Sequence, residues 1–250
     1  MRGKENLHLG LDRIQGSQYI DHILIEYMVN EMDTYTGMSR KEQKILTRQR
    51  ILDSALIVFA RDGILAATTA SVAEEAGIAH GSLFAHFGSQ GGLISSVIEE
   101  FGKSVALRIH EAVESGSGIR GVLEAHLSGI GRGERFYTRL VTEAPYLEEG
   151  LRNSVVLIQS SIAFHLYQAI ASASEAGLIK ELPFPLLFNT WIGLLHHYLA
   201  NRELFAPGAS VIERHGEKLV EFFLKLIAKE EGNEYDGVIQ KGSPSCCGGL

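Results

Sequence analysis

The residues best suited to recognition chemistry lie in one polar segment, SVAEEAGIAHGSLFAHFGSQ, which runs from Ser71 to Gln90. Its pattern predicts two short helices separated by a turn at Gly77, because glycine readily adopts the conformation that ends a helix. A helix-turn-helix needs this order of small residue, turn glycine and apolar residues. The second helix begins near His80 and Ser82, whose side chains can exchange hydrogen bonds with DNA base edges. The segment therefore predicts a DNA-reading unit.

Phosphate binding must come from outside this segment, which contains two glutamates and no lysine or arginine. Residues 40–62 include six basic and three acidic residues, whereas residues 63–102 include four acidic residues and no basic one. We therefore expect phosphate contacts chiefly from the start of the first helix. Backbone N–H groups at the helix N-termini near Thr68 and Ser89 would contribute further contacts. A head with so little charge should need a dimer for useful affinity.

We expect the phenylalanines of the second short helix to pack within the head rather than to contact DNA. We expect Phe87 to lie in the core of the head and Phe84 to pack beneath the groove-facing surface. For His80, a contact with a base or phosphate and a solvated surface position both stay open. Gly81 would allow the backbone to approach DNA closely.

Other site chemistries have less support in the sequence. His196 and His197 are adjacent and would point about 100° apart on a helix, so they do not easily share a metal ion. The Glu-x-x-His spacing of helical di-metal sites occurs once, at Glu5 and His8. We find no Gly-rich phosphate loop and no nucleophile elbow, so we expect no enzyme, no cofactor and no metal site.

The adjacent thiols Cys246 and Cys247 leave two interpretations open. They could bind a soft metal ion or be oxidised, which would make the C-terminal segment a thiol sensor. Alternatively, they are inert and reduced. Two cysteines in the whole chain are too few for a disulfide framework, which indicates a reducing compartment.

The composition predicts a soluble, cytoplasmic protein. The chain has 250 residues and a formal net charge of −7, which argues against a protein coated in nucleic acid but allows a local basic face. The N-terminus shows no secretory signal. The apolar run at residues 182–200 carries Asn189, His196 and His197, which would be costly in hydrocarbon, so we do not expect a membrane span.

Glycine, proline and charge divide the chain into four parts, and helical periodicity predicts an all-α fold. Residues 38–92 predict a three-helix head, and residues 93–231 predict a larger helical body that begins with a connecting helix. Residues 232–250 predict a flexible tail. For residues 1–37 three interpretations stay open: a loosely attached arm, an upstream start codon wrongly chosen when Met32 or Met38 is the true one, or an extra helix that packs on the body or on DNA.

The run RILDSALIVFARDGILAATTASVAEEAGIAHGSLFAHFGSQGGL, residues 50–93, resembles the N-terminal domain of the TetR/AcrR family of transcriptional regulators. The resemblance implies a homodimer that binds a palindromic DNA operator, acts as a repressor rather than an activator, and is released by a small molecule. Two positions depart from the family pattern. Gln90 and Phe84 stand where members usually carry a lysine and a tyrosine that contact phosphate, whereas His86 keeps a polar ring at a matching position.

The segment's chemistry and this resemblance together give our expected DNA contacts. They are Lys44, Arg48, Thr68, Thr69, His80, Gly81, Ser82 and His86.

The resemblance also implies an effector pocket and a dimer interface in the body. The ligand would shift the connecting helix near residues 93–109 and change the separation of the heads. Core packing is the alternative for every aromatic residue that could line the pocket: Phe136, Tyr137, Phe164, Tyr167, Trp191 and Tyr198. Apolar faces at residues 187–198 and 219–227 either form a four-helix interface with a second copy or are buried within one subunit.

Two alternatives from other functional classes stay open at this point. An interaction or ligand-binding protein that kept the fold but weakened its DNA binding would explain Gln90, Phe84 and the acidic balance. A ligand-converting enzyme built in the body would require turnover of a bound compound.

Overall fold

The computed structural model describes residues 39–229. All regular elements in that range are helices, and an isolated antiparallel bridge joins Ile179 to Ala228. The predicted all-α fold is confirmed. The predictions for residues 1–37 and for the tail with Cys246 and Cys247 lie outside the described residues.

Three helices form the head, with boundaries that local capping explains. They are α1, Arg40–Asp62; α2, Thr69–Glu75; and α3, His80–Phe87. The first helix ends where Gly63 adopts φ 96°, and the second begins at Thr68, whose hydroxyl accepts a hydrogen bond from Ser71 N. The turn between α2 and α3 contains Gly77 at φ 62°. The start of α3 lies at His80, close to the position expected from the sequence.

A long helix, α4, Gln90–Glu114, connects the head to the body. The Ser89 hydroxyl caps it by accepting from Gly92 N at 3.0 Å, as predicted. Its buried face begins at Leu93 and continues to Ile109. Helix α4 packs against α1 and α3 at one end and against the body along the rest, so it contacts both parts of the protein.

The body consists of the remaining helices. They are α5, Gly118–Gly131; α6, Glu134–Glu143; α7, Glu149–Glu175; α8, Phe184–Ala200; α9, Arg202–Phe205; and α10, Val211–Ile227, with a 3-10 turn at Ala144–Tyr146. Helix α5 packs against α4, α7 and α10, while α6 packs against α8 on one side and against α1 of the head on the other. Helix α6 is therefore a second physical link between head and body.

One described helix, α7, is long and apolar enough to cross a membrane by length and composition alone. Five of its apolar residues are buried against the body: Leu151, Ile158, Ile162, Leu166 and Ile170. Only 22% of its most apolar stretch is buried, so an apolar outer face is left uncovered in the single subunit.

Candidate DNA interface and effector cavity

The start of α3 is held by a hydrogen bond to the start of α2. Thr69 Oγ1 lies 2.8 Å from His80 Nε2, which joins the two short helices at their N-terminal ends. His80 also packs edge-on against the Phe84 ring, with ring centroids 5.1 Å apart. These contacts position His80 on an exposed surface, where one ring nitrogen is already bonded within the head.

The outer face of α3 is open around its first turn. His80, Gly81 and Ser82 are all exposed, and a Cβ added to Gly81 would meet no atom within 4 Å. Internal packing therefore does not require glycine at this position. Phe84 is 40% exposed, so the expectation that it packs beneath the surface is wrong; its ring leans on His80 because α3 fills the core through Leu83 and Phe87 instead.

Arg48 ties α1 to α3 and α4. Its guanidinium donates to the carbonyl oxygen of His86 at 3.2 Å and to Ser96 Oγ at 3.1 Å. The same group lies 4.3 Å from the centre of the Phe87 ring, a cation–π distance. Arg48 therefore has a structural function, and only the donors that these bonds leave could reach a phosphate.

The basic end of α1 lies beside α3. Burial lowers the pKa of His86, and the charges of Lys44 and Arg48 lower it further. These effects favour the neutral ring of His86, whose Nδ1 is buried and without a hydrogen-bond partner among the described residues. Lys44 itself is exposed, which suits a phosphate contact next to α3.

Gln90, which replaces a lysine of the family pattern, bonds within the head. Its Nε2 donates to the carbonyl oxygen of Ala67 at 3.0 Å, in the loop that precedes α2. Farther along α1, Arg61 pairs with Asp62 and Glu75 at 2.9 and 3.2 Å, which offsets its charge. The positive charge available to DNA is thus concentrated near the N-terminal end of α1.

A small cavity lies in the body between α6 and α7 and has a volume of about 70 Å³. Its described lining residues are Tyr137, Leu140, Val141, Ala144, Val155, Ile158, Gln159 and His196. Of the aromatic residues proposed from the sequence, only Tyr137 lines it. Phe136 and Trp191 are buried in the core, Tyr198 stacks on Phe205 at 4.2 Å, and Phe164 and Tyr167 are exposed on α7.

Two histidines, the buried His126 and the half-buried His196, make polar contacts near this cavity. The Tyr137 hydroxyl lies 2.9 Å from His196 Nε2, and Trp191 Nε1 donates to His126 Nδ1 at 3.0 Å. Burial lowers the pKa of His196 to about 4, and burial with the neighbouring His196 lowers the pKa of His126 to about 3. Both rings are neutral at physiological pH. His197, by contrast, is exposed and contacts Asn201.

Carboxylates anchor α6 at both ends, a feature the sequence did not reveal. At the N-terminal end, the buried Glu134 accepts hydrogen bonds from Ser210 Oγ, Val211 N and Ile212 N at the start of α10. At the C-terminal end, Glu143 accepts from Leu65 N at 2.8 Å, in the loop between α1 and α2. These contacts span more than seventy residues of sequence, so no local periodicity could have predicted them.

The apolar faces proposed for dimerisation are mostly covered within one subunit. Leu187, Trp191 and Leu195 of α8 are buried, as are most of their counterparts on α10. This outcome favours the alternative that these faces bury within one subunit. The large exposed apolar residues of α7 are Val156, Leu157, Phe164 and Tyr167, and α10 adds Phe222 and Leu226.

Comparisons with known proteins agree with this architecture. Residues 51–97 match the family model described as bacterial regulatory proteins, tetR family. The chain is 36% identical over 78 residues to the HTH-type transcriptional repressor KstR2 of Rhodococcus jostii (strain RHA1), a match that covers 31% of this chain and 38% of that repressor.

Two solved structures share the fold over most of its length. The ketosteroid transcriptional regulator KstR2 of Mycobacterium tuberculosis superposes with a TM-score of 0.57 at 21% identity, covering 73% of this chain and 95% of that one. FadR of Bacillus subtilis, solved in complex with stearoyl-CoA, gives a TM-score of 0.61 at 16% identity, covering 70% and 97%.

A helix-turn-helix head on a larger helical body is the architecture that this chain shares with these regulators. The family model and the repressor match identify the head of this chain, residues 51–97, as similar to the DNA-binding region of tetR-family regulators.

Proposed function

We propose that the protein is a homodimeric, one-component transcriptional repressor that binds a palindromic operator and is released by a small molecule. The observation that carries this proposal is the position of α6. This helix lines the α6–α7 cavity through Tyr137 and also bonds the head through Glu143. Occupancy of the cavity can therefore move the DNA-binding unit.

The size of the cavity supports a coupled movement. At about 70 Å³ it is smaller than the roughly 150 Å³ cavity that holds benzene in a protein core. An effector larger than this must separate α6 from α7. Because Glu134 fixes the N-terminal end of α6 to α10, the displacement would be greatest at the end that contacts the head.

The proposed operator contacts divide into two groups. Lys44 and the backbone near Thr68 would contact phosphates, while Thr69, His80, Gly81 and Ser82 would lie in the major groove. Arg48 and His86 support α3, and their contribution to DNA binding would be mainly through its position. With so few free cations, two heads in one dimer are needed for useful affinity.

The proposed dimer interface is the outer face of α7 with the exposed edge of α10. Its exposed apolar residues include Leu157, Phe164 and Phe222, which are large for a surface that stays in water. A two-fold axis through α7 would give two heads that face a palindromic site. We expect the protein to act in the cytoplasm and to lack catalytic activity.

The effector is proposed to be apolar. One structural relative is a ketosteroid regulator, and another was solved with stearoyl-CoA, whose acyl chain is apolar. Five of the eight described residues that line the cavity are aliphatic.

Selection from a random duplex library by the full chain, followed by a salt titration of the best sequence, tests the proposal. We expect an enriched palindrome bound by a dimer, with log affinity falling linearly against log salt. If no sequence is enriched at low salt while the protein stays folded, the alternative of a fold with weakened DNA binding is supported, and the internal bonds of Gln90 and Arg48 would explain it.

A further inference from the structure

We propose that the α6–α7 cavity selects an uncharged, largely apolar effector that carries one carbonyl or hydroxyl oxygen, and that Tyr137 binds this oxygen. The inference rests on the proposed function, in which this cavity is the effector site, and it specifies the chemical class of the ligand.

The lining of the cavity excludes a charged ligand group. None of the described residues around it is a lysine, arginine, aspartate or glutamate, and its polar members are Tyr137, Gln159 and His196. A carboxylate or phosphate entering this space would lose its hydration without gaining an opposite charge, which is costly in a buried site. The anionic part of an acyl-CoA would have to stay outside.

The polar pair in the cavity is itself uncharged. Burial holds the pKa of His196 at about 4 and raises the pKa of Tyr137 far above neutrality. An imidazolium that could attract an anion is therefore absent from this pair near pH 7.

Tyr137 has hydrogen-bonding capacity left for a ligand. If His196 Nε2–H donates to the phenol oxygen, the phenol hydrogen is available for a ligand oxygen. If the phenol donates to His196 instead, its oxygen can still accept from a ligand hydroxyl. In both tautomers one ligand oxygen satisfies Tyr137.

A second donor, His126, lies near His196 but outside the lining of the cavity. Trp191 Nε1 can only donate, so His126 Nδ1 must accept and Nε2 must carry the proton of the neutral ring. His126 is 1% exposed, and its Nε2 has no hydrogen-bond partner among the described residues. The ligand oxygen is therefore assigned to Tyr137, which lines the cavity, and not to His126.

Calorimetric titration of the full chain with 2-octanone and with octanoate at neutral pH tests whether the cavity prefers an uncharged ligand, because the two ligands share a chain length and differ in charge. We expect 2-octanone to bind at least about tenfold more tightly. Tyr137→Phe should weaken 2-octanone by about two- to tenfold, the contribution of one net hydrogen bond. Gln159→Lys, which adds a cation at a half-buried lining position, should reverse the preference toward octanoate.

Three results would overturn the inference. These are octanoate binding at least as tightly as 2-octanone, no 2-octanone binding up to its solubility limit, and an unchanged 2-octanone affinity in a folded Tyr137→Phe variant.

Adding both ligands to the protein–operator complex separates this inference from the proposed function. Tight 2-octanone binding without operator release supports the ligand class and refutes ligand-controlled repression. Operator release by octanoate alone supports ligand-controlled repression and refutes the proposal that the effector is uncharged.

Discussion

Glu143 Oε2 of the body accepts a hydrogen bond from Leu65 N of the head at 2.8 Å, across 78 positions of sequence. Arg139, one turn earlier on α6, lies 3.9 Å from Glu143 Oε1 and donates to the carbonyl oxygen of Arg61 at 3.4 Å. The C-terminal end of α6 thus holds both the end of α1 and the loop that leads to α2. A movement of this end of α6 would change both contacts.

Removing the Glu143 carboxylate should loosen this junction. We expect Glu143→Ala to lower the free energy of unfolding by about 0.5–1.5 kcal/mol, the net contribution of one hydrogen bond, because the exposed Leu65 N then bonds to water instead. Urea unfolding measures the loss, and hydrogen exchange at the Leu65 amide should accelerate. Glu175→Ala, an exposed carboxylate at the end of α7, should change stability by less than about 0.5 kcal/mol. An unchanged Leu65 exchange rate in the first variant would contradict the assigned bond.

Gly63 is required at the same junction for two separable reasons. Its φ of 96° strains any other residue, and an added Cβ would lie 2.8 Å from Glu143 Oε1. We expect Gly63→Ala to destabilise the protein by at least about 1 kcal/mol. In the double variant with Glu143→Ala the steric part should disappear and the backbone part remain, giving a cost below the sum of the single variants. Strict additivity in urea unfolding would show that the two residues do not interact.

The buried His126 and the half-buried His196 should make stability depend on pH. Their pKa values are depressed from 6.5 to about 3 for His126 and about 4 for His196, so the unfolded chain binds more protons between these values and 6.5. Stability should therefore be complete above about pH 6.5 and fall by up to about 1.4 kcal/mol per pH unit for each histidine as the pH drops. Urea unfolding between pH 7 and pH 5 measures this slope.

His196→Phe provides the matched test of this assignment. The variant should lack the contribution of His196 to the slope of unfolding free energy against pH, whatever its effect on stability at neutral pH. A slope equal to that of the original chain would assign the pH dependence to other groups.

Much of the head could be predicted from the sequence because its signals are local. Thr68, Ser89 and Gly63 define helix ends through capping and a positive φ, and each acts within a few residues of itself. The position of Phe84 could not be derived in this way, since an apolar residue on a short helix is equally compatible with either face.

The body was harder to predict because its functional contacts join distant segments. Tyr137 and His196 meet only when α6 and α8 pack together, and the anchoring of α6 by Glu134 depends on the start of α10. The covered faces of α8 and α10 show a related difficulty. Periodicity identifies an apolar face such as that of Trp191, but it does not say whether the same chain or a second copy covers it.

Restoring a lysine at Gln90 should strengthen operator binding. Gln90→Lys adds a cation at the start of α4, where the family pattern places a phosphate contact, and it removes the bond to the Ala67 carbonyl oxygen. We expect higher affinity at low salt and a steeper salt dependence, by about one unit of log–log slope per subunit. Ser128→Lys, an equal charge change at an exposed position on α5, should leave the slope unchanged. Equal slopes in both variants would mean that position 90 does not face the DNA backbone.

A charge in the proposed dimer face should separate the subunits. Phe164 is 58% exposed on α7 and Leu107 is 57% exposed on α4, so their replacement by glutamate is a comparable change in the free subunit. Phe164→Glu should shift the protein toward monomer in analytical ultracentrifugation, because two copies of the new carboxylate would be buried near a two-fold axis.

Leu107→Glu should leave the dimer intact, since α4 lies outside the proposed interface. In the Phe164→Glu variant, operator affinity should fall as the dimer dissociates, because a single head with few lysine and arginine side chains available to phosphate binds weakly. If Phe164→Glu stayed dimeric while Leu107→Glu dissociated, the interface would have to be reassigned from α7 to the exposed side of α4.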